Sequence, residues 1–124
     1  MIRPTPVVVN LAEKFDLFQE AWSPKIVGEL NGQHVKLVKL EGEFVWHHHE
    51  HEDELFLVIK GELQIKLEHR DLHLKQGEFV IIPKGVRHLP ISEKGSQILL
   101  LEPKTTVNTG EEQASSQSNK AVWL

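Results

Sequence analysis

Four of the eight histidines in this chain of 124 residues fall within five positions: His47, His48, His49 and His51. The acids Glu50, Glu52, Asp53 and Glu54 lie among and behind them. Imidazole nitrogens and carboxylate oxygens together make a divalent-metal site of borderline-to-hard character. The same composition also suits a solvated loop with adventitious metal affinity, and from HHHEHED alone both readings stand. Strand alternation across residues 44–50 separates the side chains. It sends Val45, His47 and His49 one way, and Phe44, Trp46, His48 and Glu50 the other. His47 and His49 thus form a same-face pair, about 7 Å apart at the backbone by strand geometry. Glu54 opens the apolar run ELFLVIK and shares a face with Phe56 and Val58. A bend near Glu52-Asp53 would let Glu54 meet the two histidines across a strand pair. His88, far along in PKGVRHLPIS, supplies a third imidazole on an alternation with Val86 and Pro90. His48 and His51 read as bystanders, His51 in a turn or beside the site, and His34, His69 and His73 read as surface residues.

These residues must be carried by strands. KIVGEL and QHVKLVKL flank Asn31-Gly32, a pair suited to the two positive-φ positions of a type I′ hairpin turn. FVWHHH, ELFLVIK, ELQIKLE, DLHLK, EFVIIP, HLPIS and QILLLE follow, separated by glycines including Gly61, Gly77, Gly85 and Gly95, or by charged turns. In ELQIKLE, Leu63, Ile65 and Leu67 share one face. Short alternating strands at this spacing predict an all-β sandwich or barrel. One short helix is expected, LAEKFDLF, with Asn10 as its N-cap and Glu13 three residues on. The organisation read from the sequence is an N-terminal arm (1–24), a β-barrel (25–108), and a polar loop with an apolar tail AVWL (109–124), a kind of terminus that usually docks somewhere.

Composition excludes several classes. The chain has no cysteine, so disulfides and thiolate sites are out and any metal must use nitrogen and oxygen. Net charge is −4 with no basic cluster, which argues against nucleic acid as a partner. No run of about eighteen apolar residues is present, so no membrane-spanning helix is expected. The first residues turn charged too soon for a secretory leader, and a cytoplasmic location is expected.

Two spaced strings carry a resemblance. Gly42, then His47-x-His49, four residues, Glu54, six residues and Gly61 resembles the first motif of the cupin superfamily. Gly77, five residues, Pro83-x-Gly85, two residues and His88 is similar to its second motif. Residues 62–76 separate them, a short spacing like that of small single-domain cupins. The sequence departs from the pattern at two points. Four residues rather than five precede His47, and Ser92 stands where the second motif usually closes on Asn.

The resemblance implies a double-stranded β-helix, or jelly-roll, cupin barrel with a short N-terminal helix or arm. It implies that His47, His49, Glu54 and His88 hold one divalent transition metal per chain: Fe, Mn, Ni, Zn or Cu. An octahedral ion would keep two positions for water or substrate. That suits an isomerase, dioxygenase or lyase acting on a small molecule, ahead of a non-catalytic ligand- or metal-binding module, with a plain scaffold third. No general base or other catalytic residue is identifiable. Arg87, the nearest cation for a sugar phosphate, is sent away from the site by alternation. A homodimer is expected, built on sheet edges or the arm segment PVVVN. Phe44, Trp46, Leu55, Leu57 and Ile59 are expected on the face opposite the ligands, under the arm or a partner subunit.

Purified protein prepared without chelators is therefore expected to carry about one divalent ion per chain by elemental analysis. His49→Ala or His88→Ala should lower that content while far-ultraviolet circular dichroism stays near that of the parent. Metal-free parent protein would overturn the site.

Overall fold

The computed structural model describes residues 5–110 and 120–124. After a single helical turn, α1 (Leu11–Phe15), come eight strands. They are β1 (Lys25–Leu30), β2 (Gln33–Glu43), β3 (Glu54–Gly61), β4 (Leu63–Lys66), β5 (Asp71–Leu74), β6 (Phe79–Ile82), β7 (Leu89–Pro103) and β8 (Val122–Trp123). Strand β7 is the spine. It pairs antiparallel with β2 along most of its length. Its other edge takes β4 near the start and β3 towards the end. β5, β1 and β6 extend the arrangement outward, and the result is a jelly roll.

Asn31 and Gly32 have φ of 50° and 78°, so the β1–β2 hairpin turns as the Asn-Gly pair requires. HLPIS and QILLLE, read from the sequence as two strands, are one. Gly95 does not end the first; it is a positive-φ residue inside β7. The backbone crosses there at close range. A Cβ on Gly61 would lie 2.7 Å from the Gly95 carbonyl oxygen. That contact, together with a φ of 88°, is why position 61 takes no side chain.

Alternation puts Val38, Leu40, Phe56, Val58, Leu63, Ile65, Ile98 and Leu100 into one interior cluster. The opposite face of β2 buries Leu37 under Phe15 and Phe18 of the arm, with Ile59 and Leu99 packed alongside. Asn10 caps the helix as expected, its Oδ1 accepting from Glu13 N at 3.0 Å, but the helix stops at Phe15. Beyond it, Lys39 Nζ donates to the Phe18 carbonyl at 2.7 Å and lies over that ring. The arm thus covers part of the outer face. Leu55 and Leu57 stay half-buried, and Phe79 and Ile81 on β6 are exposed.

The tail adds β8 parallel to β1, and Leu124 N donates to the Ile26 carbonyl at 3.0 Å. Residues 111–119 of the expected polar loop lie outside the described residues. The two that precede them, Thr109 and Gly110, are buried rather than on the surface. No helix among the described residues is long and apolar enough to cross a membrane.

Gly61→Ala is expected to cost about 2–4 kcal/mol, from strain plus collision with Gly95. Gly77→Ala, at similar φ but with open space around it, should cost only about 1–2 kcal/mol. Urea unfolding midpoints check the difference, and equal losses would refute the close-approach account.

Candidate metal centre

The site forms where the β2–β7 ladder runs past its regular end. Gly42 pairs with Ser92 and Glu43 with Ile91. Phe44 N then bonds the Pro90 carbonyl at 3.0 Å. His47 and His88 exchange both backbone hydrogen bonds, His47 N to His88 O at 3.1 Å and His88 N to His47 O at 2.9 Å. Three residues (44–46) oppose two (89–90) between Glu43 and His47, so one extra residue is accommodated as a bulge. Residues 44–46 are accordingly not strand. This corrects the strict alternation expected for FVWHHH. Phe44 belongs to the interior with His47, edge-on to its ring at 5.4 Å, and not to the outer face. Trp46 does lie outward, with the exposed Arg87 guanidinium over its ring.

The sequence continues His48-His49-Glu50-His51, and the chain bends at Glu50-His51 before β3 begins. Several bonds hold this loop. Gly85 N donates to the His49 carbonyl at 2.8 Å, Lys84 N to Asp53 Oδ1 at 2.9 Å, and Thr105 Oγ1 to Glu52 Oε2 at 2.9 Å. Gly110 packs directly on it, where a Cβ would overlap the His48 carbonyl. The loop returns the chain so that Glu54, first residue of β3, points inward beside the histidines.

One ligand-type atom from each of His47, His49, Glu54 and His88 lies within 4.8 Å of the others, and all four side chains are buried. His49 Nε2 and His88 Nε2 stand 3.3 and 3.4 Å from Glu54 Oε1. His47 Nδ1 donates to the Val45 carbonyl at 2.8 Å, and His88 Nδ1 to the Val86 carbonyl at 2.9 Å. Each bond reaches two residues back and leaves Nε2 as the lone-pair nitrogen, the tautomer a metal needs. His88 Nε2 and Glu54 Oε1 are buried without a hydrogen-bond partner. Buried polar atoms left so are costly, and a cation among them would relieve both. The group therefore fits a divalent ion.

Of the remaining histidines, His48 bonds Glu50 Oε2 at 3.0 Å, and His51, His69 and His73 are exposed. His34 departs from the surface reading. It is mostly buried, 3.4 Å from Glu29 and edge-on to Trp123. Its partner comes from the docked tail, which the spacing of residues along the chain does not reveal.

Two charged residues inside the barrel were not singled out by the motif. Lys36 shares the inward face with Val38 and Leu40, and Glu102 with Ile98 and Leu100. They form a fully buried pair, Nζ to Oε1 at 2.9 Å. The signal was present in the sequence, since each is the charged member of an otherwise apolar alternating row. Glu102 lies beside Glu54 on the interior face, one step along the β3–β7 ladder from the Leu55–Leu101 pair. Burial and the Glu54 charge push the Glu102 carboxyl well above the usual carboxylate range. Burial also opposes charge on Glu54, but the neighbouring Glu102, His49 and His88 outweigh it and hold its carboxyl well below the usual carboxylate range.

The mouth beside His47 and Glu54 is a narrow cavity of about 30 Å³. Its walls are Trp22, Val38, Leu40, Phe44, Phe56 and Leu100 with two prolines, and Asn108 is the polar wall residue besides the ligand-type pair. Trp22 comes from the arm in a left-handed conformation, φ 59°. It stacks on Phe44 at 4.5 Å and donates Nε1–H to the Glu41 carbonyl at 2.9 Å. Asn108 Nδ2 donates to the Trp22 carbonyl at 3.2 Å. Trp22 and Asn108 lie outside both histidine motifs, and only the packing of the arm and the 104–110 loop brings them here.

The fold and this arrangement define the class. A family model described as the cupin domain matches residues 33–102, and the chain belongs to that family. Its solved relatives include a cupin-2 domain protein from Shewanella frigidimarina. That protein is 46% identical, with a TM-score of 0.76, over 77% of this chain and 94% of the other. Bacillus subtilis YdbB is 41% identical over 63 residues, which is 50% of this chain and 56% of YdbB. The 3-hydroxyanthranilate 3,4-dioxygenase of Xenopus tropicalis is 28% identical over 91 residues, 68% of this chain but 32% of that enzyme. The chain thus spans about half of YdbB and a third of the dioxygenase.

Burial, followed by the neighbouring His88, pushes His47 down to about 4. In the unfolded chain a histidine titrates near its ordinary value of about 6.5. The folded state therefore binds fewer protons between those limits, and stability falls as pH drops through them. Metal-free protein should lose up to about 3 kcal/mol between pH 6.5 and 4 from this group. Urea midpoints against pH check it, and His47→Gln should remove that part of the slope.

Proposed function

We propose that this cupin holds one divalent transition metal on His47, His49, Glu54 and His88 and acts as a metal-dependent enzyme on a small, largely apolar molecule. Among isomerase, dioxygenase and lyase chemistry, dioxygenase type is favoured. The observation that carries the reading is the cavity wall. Aromatic and aliphatic side chains line the approach to His47 and Glu54, and among the described residues no lysine or arginine joins them. A sugar phosphate would leave its charge unpaired there, at a large desolvation cost. Enediol isomerisation also needs a base beside the reacting carbon. Apart from the candidate ligands, the cavity wall has no side chain among the described residues that titrates near neutral pH. The similarity to a dioxygenase named for an aromatic acid points the same way, over a third of that enzyme's length.

The bound ion would supply Lewis acidity and, if redox-active, electrons for oxygen chemistry. The chain's own contributions are different. Tautomer-fixing carbonyls at Val45 and Val86 orient the Nε2 atoms of His47 and His88. Trp22 and Phe44 exclude water and offer flat faces to a planar ligand. Asn108 offers one polar contact to orient it.

The narrowness of the cavity favours a second reading, a non-catalytic small-ligand or metal-binding module. Oxygen uptake by Fe(II)-loaded protein separates the two. Presented with catechols and aminophenols, an oxygenase consumes oxygen in proportion to substrate. Binding of catechols without uptake supports the module. Tighter binding of sugar phosphates than of catechols would overturn the apolar-ligand reading.

The same proposal includes a homodimer. Strand β6 pairs only with β3 among the described residues, and its Phe79 is 61% exposed. Val8 of the arm is 96% exposed. A second copy would cover these apolar surfaces. Light scattering should give about twice the chain mass of 14.2 kDa, and Phe79→Glu should shift it toward the monomer.

A further inference from the structure

We propose that Lys36 and Glu102 are positioning residues that hold Glu54 in its metal-ligating orientation, an inference that rests on Glu54 being a ligand. Three strands set this up. In the β3–β7 ladder Leu55 pairs with Leu101 and Phe56 with Leu100, so one further step places Glu54 opposite Glu102. In the β2–β7 ladder His34 pairs with Glu102 and Lys36 with Leu100. Lys36 therefore lies diagonal to Glu102 on the same interior face and reaches it at 2.9 Å. The row Lys36–Glu102–Glu54 crosses the barrel from β2 through β7 to β3 and ends at the histidines.

Energetics make this row informative. Two acids directly opposite each other in a ladder are unfavourable, and a buried lysine–glutamate pair loses most of its Coulombic gain to desolvation. Apolar pairs in such places are often as stable or more so. Packing alone therefore gives no reason for Lys36 and Glu102 among Val38, Leu40, Ile98 and Leu100. A reason comes from what they touch. Glu102 lies against Glu54 across the β3–β7 ladder, both side chains buried on the interior face, and Glu54 Oε1 stands 3.3 Å from His49 Nε2 and 3.4 Å from His88 Nε2. A packed, charge-compensated neighbour there restricts Glu54 to orientations that face the histidines. Lys36 keeps Glu102 from being an uncompensated buried acid. Its Nζ also reaches the Thr106 carbonyl at 3.4 Å. That ties the row to the 104–110 loop, which carries Asn108 into the cavity wall and Gly110 onto the His48-His49 backbone. One lysine thus braces the carboxylate side of the site and the loop that closes it.

The test uses the full chain and Co(II), read by its visible absorption and by competition with a chelator. The double variant Lys36→Met, Glu102→Leu removes both charges together and leaves no lone buried ion. Its urea midpoint should match or exceed that of the parent, while Co(II) affinity falls about 10- to 100-fold. Glu102→Gln keeps a hydrogen-bonding group against Glu54 and should stay within about threefold of parent affinity. A double variant that is folded and binds Co(II) as tightly as the parent overturns the proposal and leaves the metal site standing. A parent protein that binds no Co(II) removes the metal site and this inference with it. A measurement on unaltered protein decides the matter if the double variant does not fold. With carboxyl-labelled glutamate, Zn(II) titration should move the Glu102 resonance together with that of Glu54, and an unmoved Glu102 resonance overturns the proposal.

Discussion

The backbone pairing of His47 with His88 is the constraint on which the site depends. These two residues come from opposite ends of the barrel sequence and exchange both main-chain hydrogen bonds. That exchange continues the β2–β7 ladder beyond a bulge and sets the two rings 4.3 Å apart. Everything else in the site is placed relative to this pair. The loop 48–53 leaves from His47, hangs on Gly85 and Lys84 just before His88, and delivers His49 and Glu54 to the same point. One short side-chain bond to a carbonyl two residues back then fixes the ring of His47, and another fixes that of His88. The arrangement is preorganised by main chain, so its geometry does not wait for a ligand.

The bulge has a second consequence. By adding one residue between Glu43 and His47, it lets Phe44 and His47 share the interior although they are three apart. Phe44 then forms the apolar wall of the site and a platform for Trp22. The cavity is closed by parts that do not belong to the barrel motif: Trp22 from the arm, and Asn108 from the loop after β7. On the proposed reading, ligand selection and metal coordination fall to different stretches of chain. The jelly-roll frame carries the histidine–glutamate group, and the arm and the loop after β7 shape the mouth.

The barrel interior is divided between two kinds of material. Towards Leu63, Ile65 and Ile98 it is an ordinary close-packed core. Towards the metal centre it holds His47, His49, Glu54, His88, Lys36 and Glu102, all buried. Such a concentration of polar groups is tolerable only when their charges and hydrogen bonds compensate one another. Lys36 balances Glu102, and a cation would balance Glu54. Depression of the His47 pKa follows from the same low-dielectric setting.

The sequence by itself determined the strand pattern, the Asn31-Gly32 hairpin and the four side chains that meet, because each rests on local periodicity or on a spaced motif. His47-x-His49, Glu54 and His88 were legible for that reason. The inward facing of Lys36 and Glu102 was also legible in principle, as charges in apolar alternating rows, but their partnership was not. It depends on which strands lie side by side. Tertiary structure alone decided three further things. It placed Phe44 inside, because a bulge shows itself only when the partner strand is counted. It made β7 one strand through Gly95, because the crossing with Gly61 is a contact between distant segments. It brought Trp22, Asn108 and Gly110 to the site, because docking of the arm and of the 104–110 loop depends on surfaces that exist only once the barrel has closed.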